Sequence, residues 1–179
     1  PLAIQRRDVV LCMGRLSPEK GQDMLIKAFA QTNNHWQLWF LGDGPIRAEL
    51  EELAKADGIA DRVVFLGMQQ NTALYLNQAG IYVMPSLTEN FPMALIEAMS
   101  LGLPCIATDC MQWRKDEDFI KDGINGIKVA VGHPEKLAVA IDTLIANEEL
   151  RISLGEKAAN IKQQFDIDKT VEKFIEYVI

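Results

Sequence analysis

The sequence predicts an α/β domain built on a doubly wound parallel sheet, with helices closing the chain. Three observations predict it. Short apolar runs alternate with helical patterns along most of the chain, which is the order of successive βαβ units. Those runs are apolar almost throughout rather than at every second position, as strands covered on both faces are. No internal repeat, low-complexity stretch or linker interrupts the 179 residues, a length that suits one domain.

The elements follow in order. Val9–Met13 is an apolar strand, and Gly21–Thr32 a helix with Met24, Leu25, Ala28 and Phe29 on one face. Leu38–Leu41 is the second strand, followed by a helix over Pro45–Ala56 with Pro45 at its first position. Val63–Leu66 and Thr72–Gln78 form the next strand and helix, then Ile81–Met84 and Pro92–Leu101. Pro104–Ala107 is a strand, and Gly126–Val129 a short one after the turn Asp122-Gly123-Ile124-Asn125-Gly126. Glu135–Ala146, Glu149–Gln163 and Lys169–Ile179 read as closing helices.

Composition narrows the function. A net charge of −7 argues against a nucleic-acid binder, which must neutralise phosphates over a broad surface. It leaves room for a local basic pocket holding one small anion. No apolar run approaches the roughly 18 residues of a membrane span, and no secretory pattern opens the chain. It begins Pro1-Leu2-Ala3 without a Met, as an excerpt or a processed product would. Of the three cysteines, Cys12 and Cys105 sit in apolar strands as small core residues, and Cys110 follows. An odd count without motif spacing points to neither a disulfide framework nor a zinc site. A reducing cytoplasm is the expected location, and no metal site is expected.

In doubly wound sheets, ligands bind outside the carboxyl ends of the strands, so the strand-to-helix loops carry the search. The first is Gly14-Arg15-Leu16-Ser17-Pro18-Glu19-Lys20-Gly21. Arg15 can fork onto phosphate oxygens and Lys20 adds a point charge, while Gly14 permits close backbone approach. This suits a diphosphate; a solvated loop with a surface Lys–Glu pair is the competing reading. The second loop, Gly42-Asp43-Gly44-Pro45, contains Gly-x-Gly but lacks the third glycine of a dinucleotide fingerprint and follows the wrong strand. It reads as a turn and helix start. The third, Gly67-Met68-Gln69-Gln70, has room for a base edge against backbone groups.

The fourth loop carries two carboxylates, Glu89 and Glu97, separated by seven residues. Asn90 reads as the N-cap and Pro92 as a first-turn residue, leaving the amides of Met93 and Ala94 free for an anion. Glu97 lies about one turn further along. Carboxylates accept hydrogen bonds that sugar hydroxyls donate, so the pair suits a ligand with hydroxyls at both ends and phosphates between, a nucleotide-sugar. Competing readings are a buried ion pair for Glu97 with Arg15, Lys20 or another cation, and an exposed turn position for Glu89. His35 and His133 read as surface histidines. Trp36, Trp39 and Trp113 read as packing residues, with Trp113 also placed to meet a partner.

The Gly14–Gly21 loop, the Glu-x7-Glu pair and the Asp122–Gly126 turn together resemble the C-terminal domain of retaining glycosyltransferases with the GT-B fold, family 4, also described as glycosyl transferases group 1. The resemblance runs from about Val9 to the last helix. It implies one of two Rossmann-like domains, the one that binds a UDP-sugar or GDP-sugar donor without a cofactor. The acceptor-binding N-terminal domain would be a separate, missing partner, and the full enzyme would associate peripherally with membranes. Arg15 and Lys20 would bind the diphosphate and stabilise the leaving group. Glu97 would accept hydrogen bonds from the ribose, and Glu89 would contact the donor sugar. The backbone of Asn90, Phe91, Pro92, Met93 and Ala94 would contact sugar and phosphate, with Met68 and Gln69 near the base. The resemblance further implies metal-independent transfer of a hexosyl group with retention, by front-face attack. Two departures stand out: Asn90 replaces a frequent Gly, and the stretch Cys110–Asp116 lacks a Gly-Gly and Glu found in many members. A sugar-nucleotide epimerase and a noncatalytic nucleotide-binding module are the alternatives. A receiver-like signalling module fits poorly, because strands one and three end without the acidic residues it needs.

Overall fold

The computed structural model describes residues 6–110 and 119–164. It contains a six-stranded sheet in the order β3-β2-β1-β4-β5-β6, with every pairing parallel. The strands are β1 (Val9–Met13), β2 (Gln37–Leu41), β3 (Val63–Gly67), β4 (Ile81–Met84), β5 (Cys105–Thr108) and β6 (Ile127–Val129). The chain winds from β1 outward to β3, then crosses back to place β4 on the other side of β1. This makes the gap between β1 and β4 the point where strand order reverses, the place such sheets offer a ligand.

The expected near-continuous apolar strands are two-sided. On β1, Val10 and Cys12 join one core layer, and Val9 and Leu11 the other. The first layer packs the sheet against α1 (Gln22–Ala30), α2 (Arg47–Ala56) and α5 (Pro134–Ala146). The second packs it against α3 (Thr72–Gln78), α4 (Met93–Ser100) and α6 (Glu148–Ala158). Trp36 and Trp39 are buried in these layers, as expected. The expected helix Lys169–Ile179, Trp113 and residues 111–116 of the departing loop lie outside the described residues.

Several helix starts differ from the sequence reading, each for a local reason. Gly21 is a cap rather than a helical residue: its φ of 65° is left-handed, a conformation glycine adopts without cost. Helix α2 begins at Arg47 instead of Pro45, because the Arg47 amide bonds back to the Gly44 carbonyl at 3.2 Å and closes a turn first. The expected helix Glu149–Gln163 is α6 followed by a 3-10 segment, Ala159–Gln164.

The Gly-x-Gly of the second loop has a packing purpose. The Leu16 amide donates to the Asp43 carbonyl at 3.0 Å, so the loops after β1 and β2 lie against each other. A Cβ on Gly44 would sit 2.1 Å from the Leu16 carbonyl oxygen. Gly44→Ala is therefore expected to destabilise the fold by about 1–3 kcal/mol, read as a lower urea midpoint at constant slope. An unchanged midpoint would contradict this close packing.

Candidate functional site

The loops that follow β1 and β4 meet across the strand-reversal point. After β1, Pro18–Lys20 forms a 3-10 turn that Gly21 closes by donating its amide to the Pro18 carbonyl at 3.2 Å. A Cβ on Gly21 would lie 2.2 Å from the Pro85 carbonyl oxygen, so only glycine lets this turn press against the β4 loop. The Leu87 amide donates to the Glu19 carbonyl at 2.8 Å and stitches the two loops together. Lys20 is thereby set opposite Glu89, and its Nζ donates to Glu89 Oε2 at 2.6 Å. The Glu89 side chain is only 13% exposed. Glu89 is thus no exposed turn residue, and Lys20 pairs across the site instead of within its own loop. Glu19 turns to Ser17, whose hydroxyl, with help from Lys20 and Arg15, holds that carboxyl below its ordinary range.

Arg15 is exposed and is in no ion pair among the described residues. Its backbone is fixed from below by Gln22 at the start of α1, whose Nε2 donates to the Arg15 carbonyl at 2.8 Å.

Two cavities flank Gly14 and Arg15. The first, of 210 Å³, reaches Lys20, Glu89 and the Phe91–Ala94 segment. The second, of 400 Å³, reaches Gly42, Met68, Gln69 and Thr72. Met13, Gly14 and Arg15 line both. The expected diphosphate loop therefore stands between the expected sugar end and the expected base end. Gln69 is anchored there by its Nε2, which donates to the Leu66 carbonyl at 2.8 Å, while Met68 is 78% exposed.

The start of α4 differs from expectation. Pro92, not Asn90, is the N-cap, with φ −87° and ψ 62°. The Met93 amide returns to the Phe91 carbonyl at 3.0 Å, which makes Pro92 the centre of an inverse γ-turn. Met93 therefore has no free amide for an anion, and that part of the reading passes to Ala94 alone. Asn90 is exposed and outside the cavity walls, its own amide donating to Glu89 Oε1 at 3.2 Å. Phe91, Pro92, Met93 and Ala94 all line the first cavity.

Glu97 is half-buried, and no ion pair with Arg15 or Lys20 forms. Its Oε2 accepts a long hydrogen bond of 3.4 Å from Thr72 Oγ1. Glu97 lines neither cavity; Thr72 connects it to the second. Sequence reasoning passed over three residues that the structure brings to this region: Thr72, Gln22 and Tyr82. The available signals were a polar Gln on the helix that follows the Lys20-Gly21 pair and a phenol inside the apolar run of β4, since a buried phenol needs a partner.

Cys12 also lines the first cavity, but burial pushes its thiol up to about 12, so no thiolate nucleophile forms near neutral pH. His35 and His133 bond to Asp8 and Glu135 at the surface, each at 2.7 Å. Among the described residues, no group of three or more His, Cys, Asp or Glu could hold a metal ion. The pairs Asp116/Asp118 and Asp166/Asp168 lie outside them. No helix among the described residues is long and apolar enough to cross a membrane.

This arrangement can hold an anion between the exposed Arg15 guanidinium and a lysine, with a carboxylate at one end to accept hydroxyl donors. The chain is 36% identical over 151 residues to the lipopolysaccharide core biosynthesis glycosyltransferase LpsE of Rhizobium meliloti, covering 83% of this chain and 43% of that protein. It is 35% identical over 173 residues to the lipopolysaccharide 1,6-galactosyltransferase of Salmonella typhimurium, covering 93% and 44%. The chain thus spans less than half the length of these relatives. The crystal structure of Anabaena HepE in complex with UDP superposes with a TM-score of 0.89 at 27% identity, covering 99% of this chain and 50% of that one. The C-terminal domain of LpcC from Francisella tularensis shares the fold, with a TM-score of 0.80 at 23% identity, covering 89% and 86%. The family described as glycosyl transferases group 1 matches residues 2–161, and the chain belongs to it.

Proposed function

We propose that this chain is the donor-binding, C-terminal half of a retaining, metal-independent family 4 glycosyltransferase that moves a hexosyl group from a nucleotide-diphosphate sugar to a glycan or lipid-linked glycan. The observation that carries the reading is that two neighbouring cavities share Met13, Gly14 and Arg15 in their walls, with Glu89 lining one and Met68 and Gln69 the other. A nucleotide-sugar has that order of parts: base, ribose, diphosphate, sugar.

Each residue then has a chemical task. Arg15, free of a carboxylate partner among the described residues, takes phosphate oxygens. Lys20 arrives already held by Glu89, so an incoming diphosphate gives it a second anion. As the bond to the sugar breaks, negative charge grows on the departing phosphate. Fixed cations stabilise that charge without reorganising at the moment of reaction. The Ala94 amide at the start of α4 adds a partial positive charge. Glu89 faces the sugar end as a hydroxyl acceptor, and Glu97 with Thr72 faces the ribose. The relatives' lipopolysaccharide activities support a glycan acceptor; the proposal adds a separate N-terminal domain to bind it, in a cytoplasmic enzyme associated peripherally with membranes.

Calorimetry of the chain with UDP and GDP tests the donor site. A hydrogen bond to a charged group contributes about 1.5–3 kcal/mol, and each 1.4 kcal/mol is about tenfold. Arg15→Ala is therefore expected to weaken nucleoside diphosphate binding about 10–100-fold while leaving the free nucleoside unaffected. EDTA is expected to leave the affinity unchanged. Failure of both nucleotides to bind the wild-type chain would overturn the reading.

The ribose contact has its own test. If Glu97 accepts from the ribose, Glu97→Gln and a 2′,3′-dideoxy nucleoside diphosphate remove the same interaction, so their costs do not add. Fully additive losses would mean that Glu97 acts elsewhere.

A further inference from the structure

Two residues that line the 210 Å³ cavity, Tyr82 and Gln22, each carry a buried polar atom without a hydrogen-bond partner among the described residues. Tyr82, in the second position of β4, is 0% exposed, and its hydroxyl has no hydrogen-bond partner among the described residues. Gln22 is 1% exposed, and its Oε1 is likewise unpartnered. The amide's orientation is fixed by chemistry: the Arg15 carbonyl can accept only from the NH₂ edge, and Nε2 reaches it at 2.8 Å. The orphan atom is therefore the oxygen.

Buried polar groups in native folds are nearly always paired, so each exception calls for an explanation. Here two exceptions belong to residues that line one cavity together with Lys20 and Glu89. Their chemistries are complementary. Burial, reinforced by Cys12, Cys105, Glu89 and Glu97, pushes the Tyr82 phenol well above its ordinary range, so it stays a proton donor. Gln22 Oε1 only accepts. A deprotonated phosphate offers acceptors alone and would satisfy Tyr82 but not Gln22. A sugar hydroxyl both donates and accepts, and a glycosyl group carries several.

We infer that Tyr82 and Gln22 form a neutral binding element that takes hydroxyls of the donor's glycosyl group, separate from the cations that take its diphosphate. The inference rests on the donor-site reading above. It divides the first cavity into two parts: Arg15 and Lys20 at the charged rim, and an uncharged donor and acceptor in the wall that reads the sugar. Gln22 then has two tasks through its two amide atoms, holding the Arg15 loop by nitrogen and the sugar by oxygen.

The test is calorimetry of wild type and Tyr82→Phe with UDP, GDP and their glucose, galactose and mannose conjugates, alongside melting temperatures without ligand. Phe keeps the ring and removes only the hydroxyl. The expected result is an unchanged nucleoside diphosphate affinity and a loss of about fivefold to tenfold for the tightest-binding nucleotide-sugar, the size of one hydrogen bond. The ligand-free melting temperature should hold or rise, because an unpaired buried group has gone. Gln22→Leu should weaken nucleotide-sugar binding more than nucleoside diphosphate binding. If wild type binds no nucleoside diphosphate, the donor-site reading itself fails. If wild type binds and Tyr82→Phe leaves the ratio of nucleotide-sugar to nucleotide affinity unchanged, this inference alone is overturned. Equal losses for both ligands would also overturn it, since they would mark a packing effect.

Discussion

The approach of Gly21 to the Pro85 carbonyl is the contact on which the rest of the site depends. With the 2.2 Å separation a Cβ would have there, only glycine lets the turn after β1 rest on the turn after β4. The left-handed backbone at Gly21 (φ 65°) is the second reason for glycine. That contact brings the Glu19 carbonyl to the Leu87 amide and Lys20 to Glu89. The strand order makes it possible, because β1 and β4 are neighbours whose connections leave toward opposite sides of the sheet. A crevice is left between them, and the two loops close it from either side.

The Lys20–Glu89 pair changes what the two conspicuous carboxylates mean. Read as isolated acids, Glu89 and Glu97 invite comparison with an acid/base pair. The structure gives them different surroundings. Glu89 is largely covered and bound to a cation. Glu97 is half-buried beside a threonine hydroxyl, outside the cavity walls. Both suit acceptors of hydrogen bonds from a hydroxyl-rich ligand. Glu89 also restrains a long, flexible lysine that would otherwise lose side-chain entropy on binding an anion.

Much of the fold was legible because its signals are local. Each of the six strands lies within one residue of its expected bounds, since a run of apolar residues bounded by turns has little other use. The place of the loop after β1 at the strand-reversal point was legible because two cations at the edge of a sheet in an acidic chain need an explanation. The start of α4 was not legible: choosing Asn90 as the cap assumed a side-chain cap, whereas the chain uses a γ-turn at Pro92. The Lys20–Glu89 pair was not legible either, because it depends on which strands become neighbours. Tyr82 and Gln22 were hidden for a related reason. Burial is a property of the packed layers, and a single phenol in an apolar run reads as one more core residue until its hydroxyl is found without a partner.

The central claim is that one nucleotide lies along the trough from Glu89 past Arg15 to Met68. Mapping backbone amide shifts during titration with UDP tests it most directly. A third, larger cavity of 690 Å³ at the opposite edge of the sheet, lined by Arg7, Trp36, Gly80 and Gly155, provides the contrast. The predicted result is a set of saturating shifts at Gly14, Arg15, Lys20, Met68, Gln69 and Ala94, with Arg7, Gly80 and Gly155 unmoved. Shifts centred on the opposite edge, with the loops after β1 and β3 silent, would contradict the claim.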